Sequence, residues 1–258
     1  MLGARFCASH ASANPAILGM RTISALSTGE VHLWRLDLAG DAHADAARTL
    51  TRDELDRANR FVFDRDRHRF MRGRIALRSL LARYLDLDPQ RLPLAKNAHG
   101  KPMLDPAYEL GFNLSHSGDI GLVAISRAAA VGVDIEETCT EREMRPLAAS
   151  LFSRQEMASI DSFAEEALTV PFLTCWTRKE ACLKALGVGL ALDPHTFHVG
   201  TGTNRCRVYF ADRSNCEYVE VSSVVQDDRC VAAVAVIGGF TEVKFCDFDE
   251  RQTPLYLE

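Results

Sequence analysis

Three carboxylates and a lysine, set in two short stretches, are the residues of this chain best placed to do chemistry. In "VGVDIEE", Asp134 and Glu136 stand two apart in a β-branched run that reads as a strand, so both point to one face while Ile135 points to the other. Adjacent carboxylates repel unless something positive lies between them. Oxygen ligands with room left for water and phosphate suit Mg²⁺. The plain alternative is a strand that turns acidic as it reaches solvent. The second stretch, "WTRKEACLKALGVG", has apolar residues at helical spacing and closing glycines, which predicts a helix with Glu180 beside the line of Leu173, Trp176 and Leu183. Lys184 follows one turn later on the same side. As a simple helix pair, Glu180 and Lys184 would contribute only about 0.2–0.5 kcal/mol and would sit more naturally opposite the apolar stripe. A carboxylate at the edge of a core has a purpose if it meets a metal held by Asp134 and Glu136.

The elements that must position these residues fall into two lobes, 29–128 and 129–258. The first opens with a strand near Val31–Leu38, followed by helices over Asp45–Asn59 and Asp64–Tyr84 and the turn-rich "AKNAHGKP". "YELGFNLSHSGDIGLVAIS" then reads as two strands around a Ser-His-Ser-Gly turn. The second lobe opens with the Asp134 strand. "SRQE" at Ser153–Glu156 has the capping-box form and predicts a helix start, which explains Glu156 without chemistry. Pro171 suits the first turn of the helix that carries Glu180. The strand-like "RCRVYF", "EYVEVSSVVQ" and "CVAAVAVIGG" follow, the last apolar enough to be central. Strands and helices do not alternate strictly, so the expected class is α+β: two similar lobes, each a small, mostly antiparallel sheet with packed helices, and not a doubly wound fold.

Two further residues invite a phosphate. His116 lies in "NLSHSG" between Ser115 and Ser117; consecutive side chains on an extended chain point apart, so this is no nucleophile–base pair, and phosphate binding stays open to it. Lys101 sits in the rigid turn "GKP", a setting usually of the surface. No glycine-rich phosphate loop is present, so phosphate would be held by side chains and metal.

Composition narrows the classes. The chain has 258 residues, 47% apolar and 25% charged, enough for one large domain or two lobes with their own cores. No apolar run approaches the ~20 residues of a membrane span, and residues 1–28 hold only the short run "AILGM", so no membrane and no secretory signal are expected and the cytoplasm is the default. Residues 1–28 read as a disordered extension, with a transit peptide as the weaker alternative. Eight cysteines without a C-x-x-C pair, and no His at ligand spacing from a Cys, argue for reduced, mostly buried thiols and against soft-metal sites. The net charge of −5 conceals a run, Arg67–Arg83, with six arginines and no acid. It is either a solvated helix face beside the acidic stretch before it or a place where an anion docks. Nucleic acid is disfavoured, because the chain is acidic overall and lacks an aromatic–basic stacking pattern.

In this order, "GKPML", "FNLSHSG", "VGVDIEE", "FSRQE" and "WTRKEACLKALGVGL" closely resemble the signature set of the two-lobed, surfactin-type 4′-phosphopantetheinyl transferases, with "RFVFDRDRHRFMRGRIALRSLL" resembling their first-lobe helix. The resemblance spans about Val31 to Gly239. It implies transfer of the phosphopantetheine arm of coenzyme A to a serine of an apo acyl or peptidyl carrier protein, releasing 3′,5′-adenosine bisphosphate, in fatty acid, polyketide or nonribosomal peptide biosynthesis. The implied enzyme is monomeric and uses Mg²⁺, with Mn²⁺ able to replace it. By position, Asp134, Glu136 and Glu180 match the metal ligands, Glu180 is the residue to take the serine proton, and Lys184 matches the lysine on the phosphate bridge. Arg57, Lys96, Lys101, Ser115 and His116 match positions used around the 3′-phosphate and diphosphate, and Asn113 and Gly118 match scaffolding. The carrier is expected to dock near residues 144–170, where Leu147, Leu151 and Phe152 supply apolar surface if exposed. Two other classes stay open: a non-catalytic carrier-protein or nucleotide-binding module of the same fold, and a magnesium-dependent phosphohydrolase.

Overall fold

The structure, a computed structural model, describes residues 25–138, 144–202, 204–210, 218–226 and 228–248. In chain order it forms β1 (Glu30–Asp37), α1 (His43–Thr49), α2 (Arg52–Ala58), α3 (Asp64–Leu85), a small hairpin of β2 (Ala95–Lys96) and β3 (Pro102–Met103), β4 (Leu110–Ser117) and β5 (Ile120–Arg127). The second half forms β6 (Val131–Glu137), α4 (Met144–Leu151), α5 (Arg154–Ile160), α6 (Thr169–Leu186), β7 (Cys206–Val208), β8 (Val219–Gln226), β9 (Cys230–Ile237) and β10 (Glu242–Asp247).

Side-chain alternation sorts these strands into layers. On β1, Trp34 and Leu36 pack with Leu77, Leu80 and Leu81 of α3, while Val31 and Leu33 pack with Val131, Val133 and Ile135 of β6 and Ala232, Val234 and Val236 of β9. On β9 the other face, Val231, Ala233 and Ala235, packs with Phe172, Leu173 and Leu183 of α6. The order is therefore α3, first sheet, second sheet, α6, with one apolar core in each interval. The sheets run β10-β1-β5-β4 and β6-β9-β8-β7. All pairings within them are antiparallel except β1 with β10. Both faces of β9 are buried, as its unbroken apolar run predicts.

Four expectations change. The single helix over 45–59 is two, because Thr51 caps a new start: its hydroxyl accepts from Glu54 N and Glu54 reaches back to Thr51 N. The β4–β5 turn falls at Gly118–Asp119, one step later than the Ser-His-Ser-Gly reading, so His116 and Ser117 end β4. Gly118 has φ 53, and a Cβ there would lie 2.4 Å from a Glu137 carboxylate oxygen, so the turn favours glycine and any larger residue would have to displace the Glu137 side chain. The segment 25–28 is not a loose extension: Leu26 is in the first core and its carbonyl accepts from Arg127 Nε at 2.9 Å. Residues 1–24 lie outside the described residues. Finally, β10, absent from the sequence reading, returns from the second lobe to lie parallel to β1, so the boundary at 128/129 does not divide the sheets.

Candidate active site

The alternation that sends Val131, Val133 and Ile135 between the sheets turns Gly132, Asp134 and Glu136 the other way, towards α6. Gly132 lets the helix close on the strand, since a Cβ there would stand 2.0 Å from Ala181 O and 2.4 Å from Ala185 N. On its other side β6 meets the edge of β4 through a ladder of every second residue. Val133 N donates to Asn113 Oδ1 at 2.9 Å, Ser115 Oγ to Asp134 Oδ1 at 2.9 Å, and Ser117 Oγ to Glu136 Oε2 at 3.3 Å. Asn113, expected as scaffolding, thus ties β4 to β6.

From α6, Lys184 Nζ reaches Asp134 Oδ1 at 2.5 Å and Ser115 Oγ at 3.0 Å. Asp134 is buried, and its other oxygen, Oδ2, has no hydrogen-bond partner among the described residues. Burial pushes the Asp134 carboxyl above the ordinary aspartate value, with Lys184 opposing. Glu180 is half-buried and is also held up, first by burial and then by the negative charges of Asp134 and Glu136, while Lys184 opposes. Three carboxylates and one ammonium thus share one field.

Among the described residues no three acidic, His or Cys side chains form a finished metal cage, and Lys184 already holds one oxygen of Asp134. The donor set nevertheless fits a hard cation. Its oxygens are carboxylate and hydroxyl, and the buried Asp134 Oδ2 is an acceptor that a cation would satisfy.

The residues expected at the nucleotide separate into two groups. Arg57, Lys96 and His116 line one cavity of about 380 Å³ between α2, α3, the β2–β3 hairpin and β4. Arg69, Arg74 and Arg78 of the arginine run line it too. Their charges are largely matched: Arg74 Nε and Arg78 Nε donate to Glu54 at 2.7 and 2.6 Å, and Arg69 Nε to Asp119 at 2.7 Å. The Arg57 guanidinium lies over the Phe70 ring, 5.1 Å from its centroid. His116, at the mouth, is held below the ordinary imidazole value by the protein around its ring, then by the positive charges of Arg69 and Lys184. Because Leu114 and His116 face the cavity and Ser115 and Ser117 face β6, one strand serves both the cavity and the acidic cluster.

Ser115 and Lys101 do not line this cavity. Ser115 belongs to the acidic ladder, and the Lys101 ammonium donates to Val131 O at 3.0 Å and Lys184 O at 2.5 Å, with burial lowering its pKa to about 8. The apolar residues that 144–170 would offer a carrier if exposed are largely covered. Phe152 is buried and stacks on Phe172 at 5.2 Å, and Leu147 and Leu151 pack half-buried against the same core, because α4 turns its apolar face inward. Sequence reasoning missed Ser117, Asn97 and Glu54. Only Glu54 had a signal, the T-x-x-E form of "TRDE".

Comparison with known proteins identifies the family. The family description "4′-phosphopantetheinyl transferase superfamily" matches residues 130–235, and "4′-phosphopantetheinyl transferase, N-terminal" matches residues 39–128. The chain belongs to the 4′-phosphopantetheinyl transferase superfamily. It is 37% identical to the 4′-phosphopantetheinyl transferase HetI of Nostoc sp. over 225 residues, 85% of this chain and 93% of that one. The L-aminoadipate-semialdehyde dehydrogenase-phosphopantetheinyl transferase of Homo sapiens is 29% identical over 72% of this chain and 67% of its own length. A phosphopantetheinyl transferase of Thraustochytrium sp. is 30% identical over 78% and 77%. Among the described residues no helix is long and apolar enough to cross a membrane.

Proposed function

We propose that this enzyme moves 4′-phosphopantetheine from coenzyme A to a carrier-protein serine in the cleft between β4, β6 and α6, with the nucleotide end of coenzyme A in the adjoining basic cavity. The observation that carries the assignment is the junction itself: Ser115 and Ser117 of one lobe face Asp134 and Glu136 of the other, with Lys184 of α6 on the first pair. Asp134, Glu136 and Glu180 would hold Mg²⁺. When bound, the ion draws off negative charge that builds on the diphosphate oxygens during the transfer.

The residues of the chain do the rest. Arg57, Lys96 and His116 hold the 3′-phosphate end, and Lys184 faces the diphosphate. Glu180 accepts the proton from the serine hydroxyl as the serine oxygen bonds to the β-phosphorus. The bond from that phosphorus to the bridging oxygen breaks, and 3′,5′-adenosine bisphosphate leaves with the electron pair. One chain supplies every group, consistent with a monomer, and the five free cysteines among the described residues suit the cytoplasm.

Incubation with coenzyme A, Mg²⁺ and a panel of apo carrier proteins, read by intact mass, tests the reading. A gain of one phosphopantetheine on a carrier, with 3′,5′-adenosine bisphosphate released, is expected. Release of the bisphosphate without any carrier present would favour a hydrolase instead.

A further inference from the structure

The last turn of α6 is held by the other lobe. Lys101 Nζ donates to Lys184 O at 2.5 Å and reaches Ala185 O at 3.5 Å, and Asn97 Nδ2 donates to Gly187 O at 2.7 Å. These carbonyls lie where a helix leaves its acceptors unsatisfied and carries partial negative charge, so an ammonium and an amide are well matched to them. The same ammonium donates to Val131 O at 3.0 Å, at the start of β6. One amine therefore ties the strand that carries Asp134 and Glu136 to the helix that carries Glu180 and Lys184.

The turn that presents these groups is itself braced. Asn97 Oδ1 accepts from His99 N and Lys101 N, both at 2.9 Å, and Asn97 N donates to Lys101 O at 3.0 Å. Gly100 and Pro102, on either side of Lys101, line the basic cavity, whereas Lys101 does not. Lys96, next to Asn97, lines it as well. The hairpin that walls the substrate cavity is thus the hairpin that grips the catalytic helix.

We propose that Asn97 and Lys101 form an interlobe clamp: they are positioning residues that set Glu180 and Lys184 in register against Asp134 and Glu136, and Lys101 makes no contact with the nucleotide. This rests on the assignment of those four residues as the reacting site. A shift of the helix end would misplace Lys184 directly and Glu180 one turn back, and a displacement of about 1 Å can cost about 10²-fold in rate without loss of binding.

Two variants decide it. Lys101→Met removes the ammonium and keeps the apolar stem. Asn97→Asp keeps the oxygen that braces the turn and removes the donor to Gly187 O. With each shown folded by circular dichroism and urea unfolding, kcat and KM are measured with a carrier protein, and coenzyme A affinity by calorimetry. The expected result is a kcat at least about tenfold lower with coenzyme A Kd within about twofold of wild type. Lys96→Ala is expected to show the opposite split. Retained kcat at saturation with weakened coenzyme A binding in Lys101→Met would make Lys101 a phosphate ligand and overturn the clamp, as would wild-type kinetics in both variants. If Lys101→Met does not fold, Asn97→Asp decides alone, its kcat loss supporting the clamp and its wild-type kcat overturning it. Glu180→Gln at the wild-type rate would instead overturn the site assignment, a result separate from a silent clamp.

Discussion

Glu54 in the first lobe and Glu156 in the second stand at the same place in matching local structures and have been put to different use. Each is the third residue of a short helix opened by a capping box, Thr51–Glu54 or Ser153–Glu156. Each reaches from that helix to cations on the long helix of its lobe. Glu54 accepts from Arg74 and Arg78 of α3. Glu156 pairs with Lys179 of α6 at 2.8 Å, and the Lys179 ammonium also donates to Pro194 O and Phe197 O, both at 2.7 Å. Counted from the anchors Arg78 and Lys179, Ser79 stands where Glu180 stands and Arg83 where Lys184 stands. The first lobe kept the anchor and has no carboxylate after it. What differs is the degree of enclosure: the Glu156–Lys179 pair is sealed at 0%, while the largely buried Glu54 cluster lines a wall of the basic cavity. A buried anchor fixes a helix and leaves its neighbour free for chemistry. An anchor on a cavity wall becomes part of the binding surface.

The widest gap between the two helices is expected in turnover. Glu180→Gln keeps an oxygen near the metal ligands but cannot take the serine proton, and loss of a general base typically lowers rate by about 10²- to 10⁴-fold. Its defect should sit in kcat, with coenzyme A binding retained and little recovery as Mg²⁺ is raised. Asp134→Ala, which on the proposed reading removes a ligand, should recover in part with added metal. Ser79→Ala, at the matching place on α3, should leave kcat unchanged, since its buried hydroxyl has no partner to lose among the described residues. Recovery of Glu180→Gln by Mg²⁺ to the level of Asp134→Ala would reduce Glu180 to a ligand.

Stability should separate the anchors next. Lys179→Met leaves Glu156 charged and buried, and breaking a buried pair from one side costs about 3–5 kcal/mol. Glu54→Gln leaves two guanidinium groups at a cavity that water can enter, and about 1–3 kcal/mol is expected. Urea unfolding measures both, and equal losses would contradict the difference drawn from exposure.

A smaller effect tests the cavity. If Arg57 holds the 3′-phosphate as proposed, Arg57→Ala removes a charge-assisted contact of about 1.5–3 kcal/mol, so KM for coenzyme A should rise while that for dephospho-coenzyme A moves little. Equal losses for both ligands would show that Arg57 does not read the 3′-phosphate.

The carboxylates were legible because alternation and helical spacing act locally: Asp134 and Glu136 had to share a face, and Glu180 had to lie at a core edge. The lobes and most of their strands were legible for the same reason. The fate of Lys101 was not. A turn lysine reads as surface, and only the packing of the hairpin against the end of α6 and the start of β6 supplies three carbonyls for it. The parallel strand β10 escaped because "TEVKFCD" is short and interrupted by charge, and its partner β1 lies more than two hundred positions earlier. Phe152 was misread since an apolar residue beside a cap says nothing of which side the helix turns to the core.

The smallest expected effect concerns acid, and it asks whether the two anchors act alike. Burial alone would raise the Glu54 carboxyl, but Arg74 and Arg78, with the Thr51 amide, override it and hold the group below the ordinary value of 4.5. Glu156 is likewise held down against burial, by Lys179 and the amides of Val199 and Ser153. A folded-state pKa below the unfolded one means that the unfolded chain binds more protons between the two values, so stability rises with pH there. The contribution is complete above the unfolded value and is lost as pH falls through the folded one. Glu54→Gln should therefore flatten the fall of unfolding free energy below about pH 5 and leave it unchanged in slope above, with the remaining acid sensitivity owed in part to Glu156. Unfolding by urea across that range measures the slope. An unaltered slope in Glu54→Gln would mean that the cavity-wall anchor is already screened by water, and that the sealed pair alone ties folding to pH.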